Sequence, residues 1–215
     1  KGISAFIVPT DTPGYQVVRV EEKLGQHASD TCALAFSEMR VPVENRLGAE
    51  GEGYRIALAN LEGGRIGIAA QAVGMARAAF EAARDYARER ETFGKPIIEH
   101  QAVGYALADA KMAIEAARYL SWKACHAMDS NAPGAFELAL HAKVFGSETA
   151  VKVITDLMRV VGIGSYDHQC PLAGLLQDAM AYPLFDGGNM GVRRRQLHTL
   201  LKSPGYDPLT ASGAA

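Results

Sequence analysis

Leu61-Glu62-Gly63-Gly64-Arg65-Ile66-Gly67-Ile68-Ala69-Ala70-Gln71, with the run Arg88-Glu89-Arg90-Glu91-Thr92-Phe93-Gly94-Lys95 downstream, decides the fold. Ile66, Ala69, Ala70, Val73, Gly74, Ala76, Ala79 and Phe80 recur at helical spacing. Arg77, Glu81, Arg84, Asp85 and Arg88 fill the other face. The pattern predicts one helix from about Tyr54 to Arg90. Gly63, Gly64, Gly67 and Gly74 each cost such a helix about 0.5–1 kcal/mol against alanine. Close approach of another helix or of a ligand is the usual compensation, so this glycine-rich face is expected in the core.

Reading toward the C-terminus, a second helix is expected from about Gln101 to Met128. Asp129-Ser130-Asn131-Ala132-Pro133-Gly134 is a turn. A third helix follows from about Ala135 to Val161, stopped by Gly162 and Gly164. A short helix from Leu172 to Tyr182 leads to the loop Phe185-Asp186-Gly187-Gly188-Asn189, and a last one runs from Met190 to Leu201. Long helices joined by short turns pack antiparallel. Toward the N-terminus the period changes. Ile3 to Val8, Tyr15 to Val20, Thr31 to Phe36 and Met39 to Val43 read as short strands separated by turn residues. Gly48, Gly51 and Gly53 form the joint. A few strands with an open edge are marginal alone, so these are expected to be the end of a larger β-domain. The fold expected is mainly α: residues 1–47 as the C-terminal part of a truncated β-domain, 48–203 as an antiparallel four-helix bundle, and 204–215 as a flexible tail.

Composition narrows the classes. The 215 residues are 48% hydrophobic, enough for a core, and the net charge is −2. The pI near 6.3 gives no electrostatic reason to expect nucleic acid or an anionic membrane. No run approaches the roughly 18 apolar residues of a membrane span, and no signal peptide is legible. Cys32, Cys125 and Cys170 form no Cys-x-x-Cys pair, which suits buried thiols in a reducing, cytoplasmic setting. No metal is expected. A di-iron bundle needs Glu-x-x-His on two helices, whereas Glu137 and His141 are four apart and have no counterpart pair.

Taken together these pieces resemble the C-terminal region of the acyl-CoA dehydrogenases. Lys1-Gly2-Ile3-Ser4-Ala5-Phe6 looks like the end of that family's middle β-domain. Val41-Pro42-Val43-Glu44-Asn45-Arg46-Leu47-Gly48 looks like its hinge. Leu61 to Gln71, Arg90 to Lys95 and His100-Gln101 follow in order. The resemblance implies FAD as cofactor and oxidation of the α,β carbon–carbon bond of an acyl-CoA thioester. It implies a homodimer or homotetramer, and electron-transfer flavoprotein as electron acceptor.

It also assigns residues. Arg90, Thr92, Phe93 and Gln101 would serve FAD bound mainly by a neighbouring subunit. Taken alone, Arg90 is a helix-end cation and Gln101 a helix N-terminal residue. Arg159 and Gly162 lie where the family's Gln-x-x-Gly-Gly approaches the adenosine end of FAD; the glutamine is Arg159 here and the second glycine is Ile163. Glu62, Gly63, Gly64 and Arg65 match a stretch lining the CoA-thioester channel, and Arg65 alone reads equally as an ion-pair partner. In Tyr182-Pro183-Leu184-Phe185-Asp186-Gly187-Gly188-Asn189 the family's Tyr-Glu-Gly-Thr becomes an aspartate loop. Asp186 is therefore implied as the base, with Gly187 at the substrate and Gly188 and Asn189 at the flavin. Aspartate is one methylene shorter than glutamate, so substrate must come about 1.5 Å closer. Read by itself, Asp186 suits a helix N-cap. The family's other base position is Gly64 here, which cannot act. Arg193-Arg194-Arg195 reads as a solvated face.

Two other functions stay open. Nitroalkane oxidases are similar in fold and use aspartate at this position, passing electrons to oxygen. A non-catalytic helical assembly is the third. The chain alone, lacking the region that in the family holds the isoalloxazine ring, is expected to be inactive.

Overall fold

The protein is described here by a computed structural model covering residues 2–213; readings that touch Lys1, Ala214 and Ala215 lie outside them. The chain divides into two compact units, residues 1–62 and 63–215. In the first unit β1 (Ala5–Phe6) pairs antiparallel with β4 (Arg46–Leu47), and β2 (Tyr15–Val20) with β3 (Cys32–Phe36). The expected strand over Met39 to Val43 is not one: a 3-10 turn, Val43–Asn45, follows Pro42 there. Val17, Val18, Val20, Leu34 and Phe36 are all exposed, so both faces of the β2–β3 ladder meet solvent. Among the described residues no buried apolar side chain precedes Ala69.

The boundary between units falls later than residue 47, inside the first helix, α1 (Gly53–Glu89). In the second unit α1 leads to a hairpin of β5 (Glu91–Thr92) and β6 (Lys95–Pro96). The helices α2 (Gln101–Asp129), α3 (Ala135–Val161), α4 (Pro171–Ala179) and α5 (Arg194–Leu201) follow. The mainly helical class stands, with three long helices and two short ones. No strand falls within residues 100–160. Among the described residues no helix is long and apolar enough to cross a membrane.

The core is an alanine seam. Ala69, Ala72, Ala76, Ala79, Ala83 and Ala87, three or four apart on α1, are fully buried. They pack in clusters that include Ile114 of α2 and Ile154 and Leu157 of α3. Small side chains let backbones approach: a Cβ on Gly146 of α3 would lie 3.5 Å from the Ala69 Cα. This corrects the expected orientation of α1. Gly63, Gly64, Gly67 and Gly74 are exposed rather than in the core. A Cβ on Gly63, Gly67 or Gly74 would meet nothing within 4 Å. Alanine buries a methyl group and keeps helix propensity, so it wins the inward face.

The tail also departs from expectation. Residues 204–213 are mostly exposed but touch the bundle at several points. Tyr206 donates its hydroxyl to Glu137 Oε1 at 2.7 Å, Lys123 donates to the Ser212 carbonyl at 2.6 Å, and Ala211 is buried. Gly134 makes the fit possible. Its φ is 80°, and a Cβ there would come 3.0 Å from the Ala211 Cα.

Candidate active site

The loop between α4 and α5 turns on two consecutive left-handed residues, Asp186 at φ 51° and Gly187 at φ 73°. Aspartate enters that region more readily than most side chains. Glycine suits position 187, because at this φ a Cβ is strained and would fall 2.6 Å from Nη2 of Arg193, which would have to move. One π-helical turn, Asn189–Arg193, then precedes α5. Such widened turns recur at functional sites. Arg193, at the end of this one, is only 2% exposed. The arginine run is therefore not a uniform solvated face: Arg194 and Arg195 stay outside, Arg194 pairing with Glu148 at 3.2 Å. Arg193 Nε donates to the Asp186 carbonyl at 3.0 Å and Nη1 to Gln196 Oε1 at 2.9 Å. Its Nη2 stands 3.6 Å from Asp186 Oδ1. Burial holds the Arg193 pKa below its ordinary value, and the Asp186 charge opposes that.

The Asp186 side chain is 8% exposed, and Oδ2 is buried without a hydrogen-bond partner. It caps nothing: Gly188 flanks the π-helical turn, which has no side-chain cap. That excludes the helix-cap reading. A Cβ on Gly64 would lie 3.8 Å from Asp186 Oδ1. The two positions where the family resemblance places a base thus face one another across one space. Gly63 is exposed and Glu62 half-buried on the same helix. Arg65 departs from the expected channel lining. It is 2% exposed, with its guanidinium 4.8 Å from the centroid of the Phe136 ring.

Asn189 departs as well. Expected at the flavin, it is 1% exposed and its side chain is spoken for. Nδ2 donates to Ser147 Oγ at 2.9 Å and to Glu148 Oε1 at 3.0 Å, while Oδ1 accepts from Lys143 Nζ at 2.8 Å. Lys143 is the residue the sequence reading missed. It is fully buried, and Nζ also donates to the carbonyls of Tyr182 at 2.9 Å and Phe185 at 3.0 Å. A signal existed: Ala139, Lys143, Gly146 and Ala150 fall three or four apart, so the lysine sits in the register of the buried face.

The remaining candidates lie on other elements. Arg90 follows α1 and leads into the β5–β6 hairpin. Its tip, Phe93 at φ 52° and Gly94 at φ 78°, has the two positive φ angles of a type I′ turn. Thr92 Oγ1 is 3.0 Å from Nε2 of His100, which fixes the hairpin against the start of α2. Phe93 is 97% exposed. Arg90 and Gln101 are exposed beside it in sequence, and Gln101 donates to the Tyr105 hydroxyl. Arg159 is exposed near the end of α3, 3.2 Å from Asp156. It borders a groove of about 620 Å³ along α2 and α3, lined by Val103, Ala106, Phe145 and Val153. Gly162, at φ 79°, ends α3 in open space. The structure thus gathers Asp186, Gly187, Gly188, Gly64 and Arg193, and keeps the hairpin residues as a separate outward set.

Comparison with known proteins gives the class of this helical domain and its buried Asp186 carboxylate. Residues 51–200 match the acyl-CoA dehydrogenase C-terminal domain. A short-chain acyl-CoA dehydrogenase of Megasphaera elsdenii is 42% identical over 87% of this chain and 49% of its own length. A nitroalkane oxidase of Podospora anserina is 42% identical over 90% of this chain and 46% of its own. A solved nitroalkane oxidase, a flavoprotein, superposes with a TM-score of 0.91 at 32% identity, over 99% of this chain and 52% of that one. That protein was studied for the roles in its reaction of an aspartate and of an arginine seven positions after it. The chain belongs to the acyl-CoA dehydrogenase family, and it spans about half the length of the relatives it matches.

Proposed function

We propose that this chain supplies the catalytic base and part of the cofactor site of an FAD-dependent acyl-CoA dehydrogenase. The observation that carries the reading is Asp186 Oδ2, a buried carboxylate oxygen with no donor, opposite the bare backbone of Gly64. An orphaned buried acceptor is costly, and a bound substrate proton would satisfy it. FAD fits the residues present. Phe93 is bare on a positive-φ turn, and the outward glycine face of α1 leaves room for a flat ligand. Arg90, Thr92, Phe93 and Gln101 would hold the FAD of a neighbouring copy, Arg159 and Gly162 its adenosine end, and Gly188 the flavin side of the loop. The chemistry a bound FAD would supply is that of a hydride acceptor for the substrate β-carbon. Asp186 takes the α-proton, Arg193 keeps a positive charge beside the carboxylate, and Gly63, Gly64 and Gly187 give the thioester room. The electrons pass on to electron-transfer flavoprotein in a homodimeric or homotetrameric enzyme.

In the full-length chain, Asp186→Asn is expected to keep FAD and to lose about 10²–10⁴ in turnover, the usual worth of a general base. Near-normal turnover of acyl-CoA by that variant would end the reading. One observation favours a second substrate. Asp186 and Arg193 stand seven apart, the spacing of the aspartate and arginine studied in the nitroalkane oxidase. Asp186 would then remove the α-proton of a nitroalkane, with oxygen as final acceptor. Parallel assays decide: acyl-CoA with an artificial electron acceptor against a primary nitroalkane with oxygen.

A further inference from the structure

Lys143 has no part in the proton transfer, yet it is the largest fully buried side chain of the molecule's described residues. All three of its N–H donors are used, and every acceptor belongs to the segment 182–189: the Tyr182 carbonyl, the Phe185 carbonyl and Asn189 Oδ1. These acceptors bracket Asp186. One lies on the residue immediately before it, one four residues before and one three after. Ser147 and Glu148 of α3 complete the anchor by accepting from Asn189 Nδ2. The bracketed segment contains the two consecutive left-handed residues, a conformation a free loop would leave.

We propose that Lys143 is a positioning residue: its ammonium draws two carbonyls and an amide of the 182–189 segment onto α3 and thereby aims the Asp186 carboxylate toward Gly64. The inference rests on the reading of Asp186 as base only for its catalytic consequence. The clamp itself is independent of it.

The energetics argue for such a role. Burying an ammonium is expensive even when paired, and an apolar side chain in its place is often as stable. Burial lowers the Lys143 pKa to about 8; Asp186 pulls it back up, Arg193 pushes it down and Glu148 raises it. The charge is therefore held at a net cost, which packing alone does not explain. What the ammonium supplies, and methionine does not, is three donors converging from one point.

The test uses Lys143→Met in the full-length, FAD-loaded protein, a change that keeps length and volume. Hydrogen exchange of the amides of Phe185, Asn189 and Arg193 is expected to quicken about tenfold or more while α2 is unchanged. Turnover per FAD-loaded molecule should fall about 100-fold with KM nearly constant, as for a misplaced catalytic group. Unchanged exchange in this segment overturns the proposal, whatever the activity. So does a turnover that falls only with the folded fraction, which would make Lys143 a stability residue. Exchange needs no substrate, so a failed base reading, seen as an active Asp186→Asn, remains separable. If Lys143→Met does not fold, Asn189→Ala removes one of the three acceptors. A smaller rise in exchange then supports the clamp, and no rise overturns it.

Discussion

Asp186 sits at a backbone angle that glycine would occupy without strain, directly across from a glycine that could carry a side chain. On the proposed reading of Asp186 as the base, the pair makes the location of that base a transferable property. In Asp186→Gly the loop keeps its left-handed turn. Adding Gly64→Glu then sends a carboxylate into the vacated space from the helix side. The single variant is expected to lose about 10²–10⁴ in rate and the double variant to recover part of it; a double variant no faster than the single one would show that the two positions do not share a site. Asp186 could be singled out as a candidate because loop residues at a family register can be matched one by one. Lys143 and Arg193 were not. A charged residue reads as solvent-facing until its acceptors are known, and those of Lys143 lie 39, 42 and 46 residues away.

At the scale of elements, helix period and turn residues located α1, α2 and α3 to within a residue or two, and α3 without error. The inward face of α1 was misjudged for a physical reason. Glycine and alanine are both small, so two small-residue stripes on one helix give the same signal of close approach. Only the alanine stripe buries methyl groups. Gly146 on α3 shows the reverse economy. A Cβ there would make ordinary contact with Ala69 at 3.5 Å, so Gly146→Ala is expected to gain up to about 1 kcal/mol from helix propensity. A rise in Tm checks it; a marked fall would mean that α1 and α3 pack more closely at this point than an added methyl group allows. The π-helical turn before α5 was not legible, because nothing in Asn189 to Arg193 fixes a five-residue period apart from the inward pull on Arg193.

For the molecule as a whole, the mainly helical class was legible from periodicity. The docked tail was not, since its contacts with Glu137 and Gly134 come from some 70 residues earlier. Stability should carry the signature of Lys143. Its folded pKa is about 8 against 10.5 for the free side chain. Between those values the unfolded chain binds the extra proton, so stability rises with pH across that window. Thermal unfolding of the parent and of Lys143→Met is expected to run in parallel below pH 8 and to diverge above it, with the parent gaining. Parallel curves throughout would place the lysine in water.

The tip of the β5–β6 hairpin has a consequence for concentration. A phenylalanine held at positive φ and almost wholly in water is an arrangement that a lone chain has reason to abandon. If a neighbour's cofactor covers it, association and cofactor retention are linked equilibria, each drawing on the same contact. Dilution would then strip flavin from the protein, and added flavin would hold the copies together.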